Sequence, residues 1–125
     1  MKEAGAVIDS WDTPLYWHDQ DASAGYIPDS RALWDALWEH RGNLMGFAHT
    51  HPGSGCPGTS TTDLTSFAAI ESGLGLRLLW WVLSRDVTIV GSWEGPGPLD
   101  YHFLVVPDPP WARTLREISQ YAQEV

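Results

Sequence analysis

Apolar positions in this chain fall into short runs, separated by polar segments that carry glycine and proline, and each run shows one of two periods. Residues 4–8 (Ala-Gly-Ala-Val-Ile) predict a short buried strand. A polar loop or hairpin follows to about Tyr26, its Trp, Tyr and Pro residues suiting edge structure. Ser30 can N-cap a helix in which Leu33, Trp34, Leu37 and Trp38 recur at helical spacing, with Gly42 placed to end it. Asn43 to Thr50 is apolar and too short for a typical helix, which predicts a central strand where Gly46 permits close backbone approach. After a loop rich in Gly and Pro, Ser60-Thr61-Thr62-Asp63 opens a second helix carrying Leu64, Phe67, Ala68 and Ile70 and ending near Gly73. Leu76–Leu83, Val87–Trp93 and Tyr101–Val106 are three further strands, rich in β-branched and aromatic residues. Asp108-Pro109-Pro110 then starts a C-terminal helix with Trp111, Leu115, Ile118 and Ala122 along one side. This order predicts a single α/β or α+β domain built on a mixed sheet flanked by helices.

Composition narrows the partners. A chain of 125 residues fits one domain and buries enough surface for a core without disulfides. Its net charge of −9 argues against nucleic acid and anionic membrane, both of which need cationic neutralisation. Half of the 16 acids fall in residues 1–40, opposed there only by Lys2 and Arg31, so the N-terminal third is markedly acidic. A lone cysteine, Cys56, cannot form an internal disulfide, and no leader or long apolar span is evident, which leads us to expect a cytoplasmic protein. Eight tryptophans are read as core packing rather than an aromatic binding site.

The chemistry-bearing residues cluster around the predicted central strand. His49 and His51 lie two apart, so strand alternation sends both imidazoles to one face, where they can share a metal. Asp63, in the first turn of the next helix, can be folded back over the strand end by the glycine-bearing loop. Two histidines and a carboxylate leave an open position on tetrahedral zinc, the pattern of a catalytic site. Ser60 and Asp63 also form a capping-box variant, which is compatible with ligation by Asp63. His18, His40 and His102 lack ligand spacing and are read as surface or structural.

These residues resemble the JAMM, or MPN-plus, metalloproteases. The likeness rests on Glu3, on His49-Thr50-His51-Pro52, on the loop Gly53-Ser54-Gly55-Cys56-Pro57-Gly58-Thr59, on Ser60-Thr61-Thr62-Asp63, and on Met45-Gly46-Phe47-Ala48 leading into the first histidine. The resemblance implies an MPN/JAB-type mixed α/β fold, a central sheet flanked by about three helices with cytidine-deaminase-like layering, over residues 1–125 as one domain. It further implies one zinc ion per chain held by His49, His51 and Asp63 with water as fourth ligand. Glu3 would be general base then acid, and Ser60 the donor to the developing oxyanion. The stretch from Pro52 to Thr59 is one residue longer than the family's usual loop, leaving Thr59 as an alternative to Ser60. Glu3 stands almost at the start of the chain, with Glu39 as rival base. Glu39 reads more simply as a solvated acid on its helix.

As substrate the resemblance implies a ubiquitin-like protein, cleaved after its C-terminal glycine, with E1- and E2-like enzymes as associated partners. Two alternatives stand beside that reading: processing of a sulfur-carrier protein, and a silent MPN scaffold. Cys56 is expected to pack within the loop.

Overall fold

The computed structural model describes residues 3–20 and 31–119, the side chains of Glu3, Asp19 and Gln20 excepted. Its elements are β1 (Glu3–Asp9), β2 (Pro14–Gln20), α1 (Arg31–Glu39), a 3₁₀ turn (Arg41–Asn43), β3 (Leu44–Thr50), α2 (Thr61–Leu74), β4 (Leu79–Leu83), β5 (Thr88–Trp93), β6 (Tyr101–Val106) and α3 (Ala112–Ser119). The strands form one mixed sheet of order β2-β1-β3-β4-β5-β6, in which only β3 and β4 run parallel. That parallel pair needs a crossover, and α2 supplies it. The expected mixed α/β architecture is therefore present, and no described helix is long and apolar enough to cross a membrane.

Strand alternation divides the apolar residues into two cores. One face carries Val7, Phe47, Trp80 and Tyr101, covered by Leu33, Ala36 and Leu37 of α1 and by Phe67 and Leu74 of α2. The other carries Ala4, Ala6, Ile8, Ala48, Trp81 and Leu83, covered by Trp111, Ala112 and Leu115. Adjacent Trp80 and Trp81 thus point to opposite layers. Three of the tryptophans fill the cores as expected, whereas Trp11 is 81% exposed. Gly46 does allow close approach: a Cβ there would lie 2.0 Å from the Leu79 carbonyl oxygen.

Several boundaries differ from the sequence pattern, each for a local reason. The Ser30 cap, the chain near Tyr26 and Ala122 lie outside the described residues. Helix α1 stops at Glu39, and the 3₁₀ turn rather than the helix absorbs Gly42. Helix α2 ends at Leu74, near the expected Gly73, and Gly73 itself makes room for the Trp34 indole, which would stand 2.8 Å from a Cβ. Gly75 caps it, at φ 71 in the left-handed region, with its N–H bonded to the Glu71 carbonyl. Strand β4 begins at Leu79 and not Leu76, since the N–H groups of Leu76 and Leu78 are taken by the Glu71 carbonyl and carboxylate.

Glu71 is the buried polar centre of this layer. Its carboxylate accepts bonds from Leu78 N–H (2.9 Å), Trp80 Nε1–H (3.0 Å), Arg77 Nη1–H (3.0 Å) and the Tyr101 hydroxyl, tying α2 to β4 and β6. Burial, then the hydrogen bond to the Glu71 carboxylate, raises the Tyr101 hydroxyl well above its ordinary pKa. A buried acid with every lone pair used is stable only as a set. Glu71→Ala should therefore cost about 3–5 kcal/mol in urea unfolding, because it strands several buried donors. Glu39→Ala, at an exposed position, should stay within about 0.5 kcal/mol. A loss at Glu71 no larger than at Glu39 would remove the carboxylate from the centre of the core.

Candidate metal centre

β3 lies between β1 and β4, so its last residues are shielded on both edges. His49 and His51, two residues apart, occupy the α2-covered face at the end of this strand, where the chain leaves the sheet. His51 N–H still bonds the Leu83 carbonyl (2.8 Å), which extends the β3–β4 alignment to the second histidine. Asp63 arrives from the other side. Ser60, N-cap of α2, accepts a bond from Asp63 N–H (3.1 Å), and Asp63 Oδ2 accepts one from Ser60 N–H (3.2 Å), the reciprocal capping box. The same cap that starts the helix aims the carboxylate at the strand end, and the positive end of the helix favours its ionised form.

The three side chains converge. Nε2 of His51 lies 3.1 Å from Nε2 of His49 and 3.2 Å from Oδ2 of Asp63. One ligand atom from each residue lies within 4.8 Å of the others, so the cluster could hold a metal ion. Bonds of about 2.0–2.2 Å at tetrahedral angles place neighbouring ligand atoms roughly 3.3–3.6 Å apart, close to the two separations from His51. Among the described residues, His49, His51 and Asp63 form such a group, and Cys56 stands outside it. Cys56 is exposed rather than packed, its Sγ 3.9 Å from the Pro57 carbonyl oxygen.

Burial is graded across the site. His49 and Asp63 are 1% and 0% exposed, and the side chain of His51 is 12% exposed, so solvent reaches the cluster past His51. The His49 ring stacks against Phe47 and meets the edge of Phe67, which itself stacks on Trp80 at 4.2 Å. Trp80 in turn donates to Glu71, so the aromatic wall behind the first histidine is anchored in the core. Asp63 Oδ1 and His49 Nδ1 are buried without a hydrogen-bond partner. An unsatisfied buried carboxylate oxygen beside two imidazoles is costly on its own and is the donor chemistry a cation would satisfy.

Electrostatics favour the metal-binding forms of His49 and Asp63. Burial, reinforced by His51 and opposed by Asp63, lowers His49 to about 3, leaving a neutral imidazole at neutral pH. Burial alone would raise Asp63, but the His51 hydrogen bond, the electrostatic influence of the neighbouring His49 ring and the Ser60 N–H outweigh it and hold the carboxyl below its usual range.

Glu3 begins β1, pairs with Gln20, and lies two residues before Gly5, whose partner is His49. The Glu3 side chain lies outside the described residues. Ser60 is exposed at the mouth, beside Thr59. Glu39 is exposed at the end of α1. His18 is buried on β2, in register with Gly5, and His102 lies 3.7 Å from Glu94 at the surface. Compared with models of known protein families and with curated proteins, the chain matches none.

The depressed pKa of His49 sets a sign for metal-free protein. The unfolded chain takes up the proton near pH 6.5 and the folded one only near 3, so stability is full above pH 6.5 and is lost as pH falls through that window. Asp63, held below 3.8, adds to the loss at the acid end. Urea unfolding of chelator-treated protein should show the wild type losing up to about 1.4 kcal/mol more per pH unit than His49→Leu between pH 6 and 4. Identical pH slopes would mean that His49 is not held neutral.

Proposed function

We propose that this chain is a small zinc metallopeptidase of the JAMM, or MPN-plus, type, cleaving after the C-terminal glycine of a ubiquitin-like protein. The observation that carries the reading is the convergence of His49, His51 and Asp63 on one point at the end of the central strand. They do so in the order and spacing His49-Thr50-His51-Pro52 and Ser60-Thr61-Thr62-Asp63. Two imidazoles and one carboxylate suit zinc better than the harder, all-oxygen cations.

Zinc bound by these three side chains would lower the pKa of water in its remaining position towards roughly 7 and polarise a substrate carbonyl. The residues of the chain divide the remaining work. Glu3, on the strand that pairs with that of the histidines, would take the proton from water and deliver it to the leaving amine. Ser60 spends its hydroxyl lone pair on Asp63 N–H, and its own O–H stays available to donate to a developing oxyanion. Aromatic packing around His49 and the burial of Asp63 keep bulk water from the back of the site, so a substrate would enter on the His51 and Ser60 side. With 16 acids against 7 bases, the surface would steer towards a basic face of its protein partner. E1- and E2-like enzymes are the partners this reading brings with it.

The test combines metal analysis with cleavage of a ubiquitin-like fusion extended beyond its terminal glycine, with and without a zinc chelator. Cleavage should require zinc, and Glu3→Gln should keep one metal per chain while losing about 10²–10⁴-fold in turnover. A Glu3→Gln variant with full activity would overturn the assignment of the base. Bound zinc without cleavage of either a tail-extended or an isopeptide-linked substrate would favour a scaffold.

A further inference from the structure

The segment from Pro52 to Thr59 joins the second ligand to the cap that carries the third, and it contains Gly53, Gly55 and Gly58. Gly53 and Gly55 take positive φ of 93 and 80. A connection this rich in glycine loses much conformational entropy on ordering, so something outside it has to hold it. That role falls to the turn between β4 and β5. Arg85 N–H donates to the Gly53 carbonyl (2.9 Å), the Ser84 hydroxyl donates to the Gly55 carbonyl (2.6 Å), and Asp86 Oδ1 accepts from Gly55 N–H (2.7 Å). With the bond from His51 N–H to Leu83, residues 83–86 stitch the ligand strand and its loop continuously.

The turn is rigid in its own right. Ser84 N–H bonds the Val87 carbonyl (2.9 Å), and Val87 N–H bonds Ser84 Oγ (3.1 Å). From α3, Arg116 donates to the Ser84 carbonyl (2.9 Å) while also holding Asp108 (2.6 Å) and Thr88 (3.0 Å). Ser84 is buried, whereas Asp86 is exposed and belongs to neither hydrophobic core. Its bond to Gly55 is charge-assisted, the stronger class of hydrogen bond. An exposed acid with that partner bears on the loop rather than on core packing.

We infer that Asp86 and Ser84 are positioning residues for the metal centre: by tying Gly55 at both its N–H and its carbonyl they fix the loop that sets the separation of His51 from Asp63 before metal enters. Neither residue is one of the three that could hold the metal. The inference rests on the metal-site reading above and extends it to two side chains on a different hairpin. Pre-organised ligands bind metal more tightly because the loop is already ordered, and outer residues of this kind typically change metal affinity by about 10–100-fold.

The experiment titrates the full chain with cobalt(II) as a spectroscopic stand-in for zinc, reading affinity and the visible d–d band in wild type, Asp86→Ala, Asp86→Asn, Ser84→Ala and the surface control Glu117→Gln. Asp86→Ala should bind roughly tenfold more weakly with an altered band, the low end of such outer-residue effects. Ser84→Ala should follow it. Asp86→Asn keeps an acceptor oxygen and should recover most of the affinity, and Glu117→Gln should match wild type. Wild-type affinity and band in both Asp86→Ala and Ser84→Ala would overturn the inference while leaving the metal site standing. Equal impairment of Asp86→Ala and Asp86→Asn would overturn the assignment of Asp86 as acceptor for Gly55. Failure of wild type to bind cobalt would instead overturn the site reading, and this inference with it. Should Asp86→Ala not fold, Ser84→Ala and Asp86→Asn still decide the outcome.

Discussion

Three electron-rich side chains are held together at the end of β3, two of them fully enclosed with His49 Nδ1 and Asp63 Oδ1 lacking a hydrogen-bond partner, and this concentration of donor atoms is the constraint around which the rest of the structure is arranged. Packing His49 and Asp63 out of water without neutralising partners works against folding. The structure offsets part of that cost locally. The capping box ties one carboxylate oxygen, His51 bridges the carboxylate to His49, and the depressed pKa of His49 keeps that buried imidazole neutral. What remains is a buried carboxylate oxygen without a partner, and a cation would satisfy it.

Everything that positions these groups is long-range. The sheet places β3 in the middle, so β1 brings Gly5 beside His49 from one side. β4 brings Val82 and the hairpin clamp from the other. Helix α2 must then be aligned along its whole length: its first turn presents Asp63, its middle packs Phe67 against both His49 and Trp80, and its end inserts Glu71 among Leu78, Trp80 and Tyr101. Glu71 thus acts on the site through rigid packing. A helix fixed at both ends by side-chain carboxylates has little freedom to shift the one that faces the histidines.

Much of the candidate site was legible because its signals are local. Two histidines at strand spacing, and a serine three residues before an aspartate at a helix start, are each readable within a few positions, and the structure brings His49, His51 and Asp63 together. The strands and helices were legible too, apart from their ends and from β2, whose residues Pro14–Gln20 read as part of a polar loop or hairpin and pair with β1 as the edge strand of the sheet. Gly73 reads as a stop signal and serves as a seat for Trp34, and Leu76 to Leu78 read as strand while their donors go to Glu71. The hidden parts are those whose partners are remote. Glu71 looks like any helix acid until Tyr101 arrives from 30 residues away, and Asp86 looks like a turn residue until Gly55 arrives from 31 residues away. Cys56 read as a packed loop residue and is exposed, because the glycines around it place the loop on the hairpin rather than in the core.

The central claim is that His49, His51 and Asp63 together bind one metal ion and leave a position open for chemistry. The most direct measurement is zinc K-edge X-ray absorption on zinc-loaded protein, which reads ligand type and distance without any assumption about activity. The account predicts one zinc per chain in a four-coordinate shell of two imidazole nitrogens and two oxygens at about 2.0–2.2 Å. Sulfur scattering at about 2.3 Å, which would bring in Cys56, or a shell lacking imidazole, would contradict it.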